Sequence, residues 1–216
     1  VLHIGTLASG TLKVGDAVTA RLAPARQATE KNHTTTHLAN WALREVLGDD
    51  VQQKGSLVDP EKLRFDFSHP KAVEPAELAK VESLVNLAIS AGHKVYAEEA
   101  PQEQALKITG LRAVFGEKYP PMVRVVSVGV PVKDLLANPA NPGWRQFSIE
   151  FCGGTHLASS DQAAAFVITE ESSVSKGIRR LVALTGPAAS AALKVSADIN
   201  AAIKAGDLAA IQKLVT

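Results

Sequence analysis

Two short segments of this sequence hold four residues able to do chemistry together. Asn32-His33-Thr34-Thr35-Thr36-His37 places two imidazoles four residues apart. On a helix, positions i and i+4 stand one above the other, so His33 and His37 can offer nitrogens to one ion. The second segment, Cys152-Gly153-Gly154-Thr155-His156, follows the strand-like run Phe147-Ser148-Ile149-Glu150-Phe151. Two successive glycines would cost a helix about 2 kcal/mol relative to alanine, so this segment reads as a turn. Such a turn brings a thiolate and an imidazole around to one point. Three histidines and a cysteine make a full tetrahedral nitrogen-and-sulfur set of the kind zinc prefers. The expected metal ligands are His33, His37, Cys152 and His156, with zinc as the expected cofactor. Taken singly, each half has a plainer meaning: an isolated His-x-x-x-His can be two solvent-facing residues, and Cys152 a small buried hydrophobe at a strand end.

Two better-known metal motifs are excluded. The zinc-peptidase pattern His-Glu-x-x-His shares the histidine spacing, but Thr34 stands where its general base belongs. A zinc finger needs a Cys-x-x-Cys pair, and Cys152 is the only cysteine. The three threonines between the histidines are poor helix formers, so the segment is not optimised for helix stability alone.

The elements that must position these residues follow from local pattern. Leu38, Ala42 and Val46 form an apolar stripe within a helix expected over 27–47, with Gly48 as its stop. Strands at 55–58 and 63–67 flank the turn Asp59-Pro60; Leu63, Phe65 and Phe67 share one face. A helix is expected from Pro75 to about Ala91, closed by Gly92. A strand over 95–99 and a short helix over 101–109, ending at Gly110, come next. Met122 to Gly129 is a β-branched strand, and 137–143 reads as a loop. Further strands are expected at 146–151, 164–169 and 177–184. Gly186-Pro187 breaks the chain, and 188–216 reads as helical with Asp207 as a cap. Residues 2–22 read as β, broken by turns at 8–10 and 13–16. Helices and strands are interspersed with antiparallel-looking pairs, so the expected class is α+β, a mixed or antiparallel sheet with flanking helices and a helical C-terminal tail.

Length and composition bound the rest. A chain of 216 residues with 46% hydrophobic and 21% charged residues can bury a core. Its 23 Lys and Arg against 22 Asp and Glu leave a net charge of +1, which lacks the basic surplus of a general nucleic-acid binder. Any nucleic-acid contact is therefore expected to be local, or limited to a strand end. A lone cysteine excludes an internal disulfide and fits a reducing cytoplasm. No membrane span or secretion signal is expected. A start inside strand-like sequence without methionine suggests a piece of a larger protein.

Asn32 to Leu38, Gln53-Lys54-Gly55-Ser56-Leu57-Val58, Leu63-Arg64-Phe65-Asp66-Phe67-Ser68-His69, Phe151 to Leu157 and the run Gly177 to Gly186 resemble, in order and spacing, the editing domain of alanyl-tRNA synthetase. The resemblance covers roughly residues 1–186. It implies three parts: 1–24 as the end of a small β-barrel, 25–186 as a zinc-containing editing domain, and 187–216 as a helical connector. Free-standing alanyl-tRNA editing proteins share the metal motifs, but the barrel fragment and the helical tail favour a piece of the synthetase. The class II aminoacylation core is absent from these residues.

The implied activity is hydrolysis of tRNA(Ala) wrongly carrying serine or glycine. The implied partners are the tRNA(Ala) 3′ end and the rest of the synthetase chain. Catalytic roles are implied for His33, His37, Cys152 and Gln53, and substrate contacts for Gln53, Thr36 and Gly153. Read from the residues alone, Gln53 is equally a surface glutamine and Thr36 a threonine bonding its own helix. Arg64 and Asp66 are read as a structural pair on one strand face. Lys176, Arg179 and Arg180 form a local basic cluster, either a phosphate contact or a solvated face. His3, His69 and His93 have no partner pattern. Two other readings remain open: a non-catalytic tRNA-binding module with structural zinc, and a metal-dependent hydrolase of another small ester.

Overall fold

The computed structural model describes residues 4–114 and 116–215, and for Val215 the backbone only. His3 lies outside them. The long helix α1 (Ala25–Leu47) is followed by the hairpin β1 (Gln53–Val58) and β2 (Leu63–Ser68), then α2 (Pro75–Ser90) and β3 (Val95–Pro101). A four-residue helix α3 (Gln102–Ala105), β4 (Met122–Val128), the short α4 (Val132–Ala137) and β5 (Ser148–Phe151) complete the middle. The hairpin β6 (Phe166–Ser175) and β7 (Ile178–Thr185) leads into α5 (Gly186–Ala205) and α6 (Leu208–Val215).

Two antiparallel sheets result, one in the order β1-β2-β7-β6 and one in the order β3-β4-β5. The fold is therefore α+β. Leu63, Phe65 and Phe67 all point into the first core, as the alternation in β2 requires, and meet Leu38, Leu43, Val81, Val85, Phe166 and Leu181. Full burial of each such side chain is worth about 1.5–3 kcal/mol. A second core lies on the smaller sheet, where Val123, Val125 and Ile149 pack with Ala105 and Leu135 from α3 and α4.

Helix α1 joins the two sheets. From Asn32 to Leu43 all residues but His33 and Trp41 are buried. Asn32 ties its start to the first sheet: Nδ2 donates to the Asp59 carbonyl at 2.8 Å, and Oδ1 accepts from the Thr185 hydroxyl at 2.6 Å. On the other side, Ser148 Oγ in β5 donates to the His37 carbonyl at 3.2 Å. Gly48, at φ 101°, turns the chain out of the helix where expected.

Several expectations change. Residues 4–23 contain no strand, although β was read over 2–22; the turn Lys13–Asp16 does form, with Lys13 N–H on Asp16 Oδ2 at 2.8 Å. An extended segment becomes a strand only by pairing, and here the apolar side chains Leu7, Leu12, Val14, Val18 and Leu22 stay exposed. The described residues form no closed barrel. The helix expected over 101–109 is confined to Gln102–Ala105, because its continuation tightens into i→i+3 turns at Lys107 and Ile108. Helix α4 was not expected, since six residues are too few to show a period. Strand β6 runs past 169 to Ser175 because β7 offers it partners throughout. Asp207 caps α6 through Oδ1, which accepts from Ala210 N–H at 3.0 Å.

Candidate metal centre

Helix α1 and the turn after β5 bring the four predicted residues together. The ligand atoms of His33, His37, Cys152 and His156 lie within 4.8 Å of one another, a group that could hold a metal ion. Nε2 of His33 and Nε2 of His156 each stand 3.4 Å from Cys152 Sγ. The His33 and His156 rings stack with centroids 4.1 Å apart, and His37 meets His156 edge-on at 4.5 Å.

The turn is built for this approach. Arg124 of β4 donates from Nη1 to the carbonyls of Cys152, at 3.0 Å, and Gly154, at 2.5 Å. A Cβ on Gly154 would overlap the His33 ring, reaching 3.0 Å from Nδ1, whereas a Cβ on Gly153 would meet nothing within 4 Å. Only the second glycine is therefore demanded by close approach.

His33 and His156 each have an outer hydrogen-bond partner, and His37 faces a carboxylate. His33 Nδ1 lies 2.9 Å from the Thr155 carbonyl, which can only accept, so the proton sits on Nδ1 and Nε2 keeps its lone pair. His156 Nδ1 lies 3.1 Å from Thr34 Oγ1. His37 Nε2 faces Glu150 Oε2 at 3.6 Å, beyond hydrogen-bond length, while its buried Nδ1 has no protein partner. An orphaned buried nitrogen in a cluster of nitrogen and sulfur donors fits a metal ligand.

Burial controls the charge of the group. It holds His33 below the ordinary 6.5, His37 well below it, and His156 down to about 3, with mutual repulsion among the imidazoles adding to the last two. Neutral imidazole is the form that binds metal. Burial also pushes the Cys152 thiol up. A bound cation reverses that, since a coordinating thiol is deprotonated.

Behind His37 lies a buried polar chain that the sequence did not announce. Asn40 Nδ2 donates to Glu150 Oε1 at 2.8 Å, and Arg112 donates to Asn40 Oδ1 and its carbonyl at 2.9 and 3.0 Å. Burial raises Glu150 to about 7, against the pull of Arg112 and Asn40, and lowers Arg112 to about 10. One signal was readable: Glu150 is a charged residue on the same strand face as Cys152, two residues away.

Three of the group, His33, His37 and Cys152, line a cleft of about 610 Å³, together with Thr36, Gln53, Ser56, Arg112, Tyr119 and Gly153. All three predicted substrate residues, Gln53, Thr36 and Gly153, therefore border the same space as the metal group. The Thr36 hydroxyl donates to the Asn32 carbonyl at 2.7 Å, within its own helix. Gln53 Nε2 donates to Ser56 Oγ, a second cleft residue, at 3.5 Å.

The two arginines of the basic cluster in the last hairpin are engaged elsewhere. Arg179 forms a two-pronged pair with Glu171 at 2.5 and 2.6 Å, and Arg180 with Asp66 at 2.7 and 2.8 Å. Arg64 stands 3.6 Å from Asp66, so the pair read from β2 exists but is the weaker of two.

A two-sheet α+β domain with a histidine–cysteine group at the mouth of a cleft is the class that fold and site define. Residues 123–182 match the family described as threonyl and alanyl tRNA synthetase second additional domain. Almost the whole chain is also similar to one segment of alanine–tRNA ligases. The mitochondrial enzyme of Saccharomyces cerevisiae is 53% identical over 208 residues, covering 96% of this chain and 21% of the relative. The enzyme of Candida albicans is 53% identical over 201 residues (93% and 21%), and the cytoplasmic enzyme of Dictyostelium discoideum 48% over 203 (93% and 22%). The chain thus spans about a fifth of the length of these curated relatives. The similarity agrees with the resemblance to an alanyl-tRNA synthetase editing domain carried by the motifs. No helix among the described residues is long and apolar enough to cross a membrane.

Proposed function

We propose that the chain is the editing hydrolase segment of an alanyl-tRNA synthetase, which cleaves the ester of tRNA(Ala) mischarged with serine or glycine. The observation that carries this reading is the placement of His33, His37 and Cys152, three members of the four-residue metal-ligand group, on one cleft with Gln53. The cleft volume falls within the roughly 300–1,000 Å³ of small-ligand sites, room for an aminoacyl group with its terminal nucleoside. In this reading His33, His37, Cys152 and His156 hold zinc, which when bound would polarise an ester carbonyl or acidify water. Gln53 presents an amide to a serine hydroxyl, and Thr36 and Gly153 form part of the wall. Residues 25–186 are the editing unit and 187–216 its helical connector. The partners are the tRNA(Ala) 3′ end and the rest of the synthetase, and the compartment is the cytoplasm.

The physical need for such a site is quantitative. A pocket shaped for alanine rejects an added hydroxyl or a missing methyl by only about 1–3 kcal/mol. A second, hydrolytic site removes what passes.

The test is deacylation of Ser-tRNA(Ala), Gly-tRNA(Ala) and Ala-tRNA(Ala) by the purified chain, with metal content measured in parallel. Serine and glycine are released, alanine is spared, and Cys152→Ala loses both metal and activity. Full activity of a metal-free Cys152→Ala protein refutes the metal's role. One observation favours a second reading: four protein donors saturate a tetrahedral ion, as in structural sites. A non-catalytic tRNA-binding module of that kind unfolds on metal removal and releases no serine.

A further inference from the structure

Thr34 is fully buried, and its hydroxyl touches two groups, both in the turn after β5. Leu157 N–H donates to Oγ1 at 3.0 Å, and His156 Nδ1 lies 3.1 Å away. The first contact uses one lone pair permanently. What remains is one lone pair and one hydrogen, both available to a ring nitrogen that can be donor or acceptor.

We propose that Thr34 is a positioning residue that serves His156 in both of its tautomers and thereby aims its Nε2 at the ligand group, where it would hold a metal. With the ring proton on Nε2, Thr34 O–H donates to Nδ1, and Nε2–H donates to Cys152 Sγ, 3.4 Å away. With the proton on Nδ1, that N–H donates to Thr34 Oγ1, and the Nε2 lone pair faces the ligand group. Only the second arrangement can ligate a metal. The ring carries one proton in both: the Nε2 proton is lost to solvent and Nδ1 gains one. His33 has no such freedom, because its outer partner is the Thr155 carbonyl, which only accepts. The two motifs thus brace each other crosswise, His33 by a fixed partner and His156 by a reversible one. Thr34 occupies the position where a zinc peptidase has its general base, and here the position is used to steer a ligand.

The inference rests on the metal-centre reading above, and the two fail separately. Nitrogen-15 NMR of the chain, before and after loading with zinc alone, reads the tautomer of His156. The expected result is an Nε2–H ring before loading and an Nδ1–H ring after it. An Nδ1–H ring in the metal-free sample, or an unchanged ring after zinc uptake, overturns the proposal. Absence of zinc uptake overturns the metal-centre reading itself. Thr34→Val keeps the shape but cannot bond Nδ1, whereas Thr34→Ser keeps the hydroxyl. Chelator competition should show zinc affinity about 10–100-fold lower in Thr34→Val and near wild type in Thr34→Ser. Affinities within twofold of each other overturn the proposal; should Thr34→Val fail to fold, the wild-type tautomer pair decides alone.

Discussion

Glu150 and His37 face each other in the buried seam between α1 and β5, carboxylate oxygen to Nε2 at 3.6 Å. Asn40 Nδ2 holds the carboxyl from behind, and Arg112 in turn holds Asn40. Outer partners of metal-binding histidines fix ring orientation, and losing one commonly costs 10–100-fold in affinity. Glu150→Ala should therefore lower zinc affinity by about that factor and, by leaving the buried Asn40 amide without its acceptor, cost about 1–3 kcal/mol of stability. Urea denaturation and chelator competition measure the two. A folded Glu150→Ala protein with wild-type zinc affinity would remove Glu150 from the centre.

The two glycines of the turn should behave differently. Gly154→Ala drives a methyl into the His33 ring, so zinc affinity should fall at least about tenfold. Gly153→Ala meets open space, so zinc affinity should stay within about twofold of wild type. Paired titrations with a zinc-sensitive dye compare them directly. Equal losses would mean that backbone freedom, not the approach of His33, explains the pair.

This contrast shows what was legible in the sequence and what was not. The four ligand candidates were readable because helical spacing and a glycine turn each state a local geometry, and the chain only had to bring two such segments together. The strands β2, β4 and β7 were readable from alternation and β-branching. What could not be read was anything decided between distant segments. The unequal roles of Gly153 and Gly154 depend on where α1 lies. The link from Arg112 through Asn40 to Glu150 joins three segments that no short-range pattern connects. The same limit explains the N-terminal difference, since residues 4–23 have short apolar runs broken by turns but pair with no strand among the described residues. It explains the basic cluster too: Arg179 and Arg180 look free in sequence because Glu171 and Asp66 face them only across the sheet.

Asp66 ties β2 to β7 through Arg180, whose hydrogen bonds hold its carboxyl below the ordinary 3.8 despite its burial. A carboxylate with a depressed folded-state pKa contributes stability above its unfolded value, near 3.9, and loses it as pH falls through the folded value. Arg180 is partly exposed, so solvent screens the pair and the contribution is small. Asp66→Asn should melt lower than wild type at pH 7, and the gap should close below about pH 4. Thermal melts between pH 7 and pH 3 test this; a gap that widens in acid has the wrong sign.

Arg179 offers the sharpest test of whether the last hairpin meets nucleic acid. Its guanidinium is bound at both prongs by Glu171 across the β6–β7 pair, and its side chain is 14% exposed. A cation already matched to a carboxylate in this way releases few counterions from a phosphate, so it adds little to the salt dependence of tRNA binding. Arg179→Ala should destabilise the sheet by about 1–3 kcal/mol, the cost of leaving Glu171 without its charged partner. It should leave the slope of tRNA affinity against salt unchanged within error. A slope that falls by about one unit would instead make Arg179 a phosphate contact, with the pair to Glu171 given up on binding.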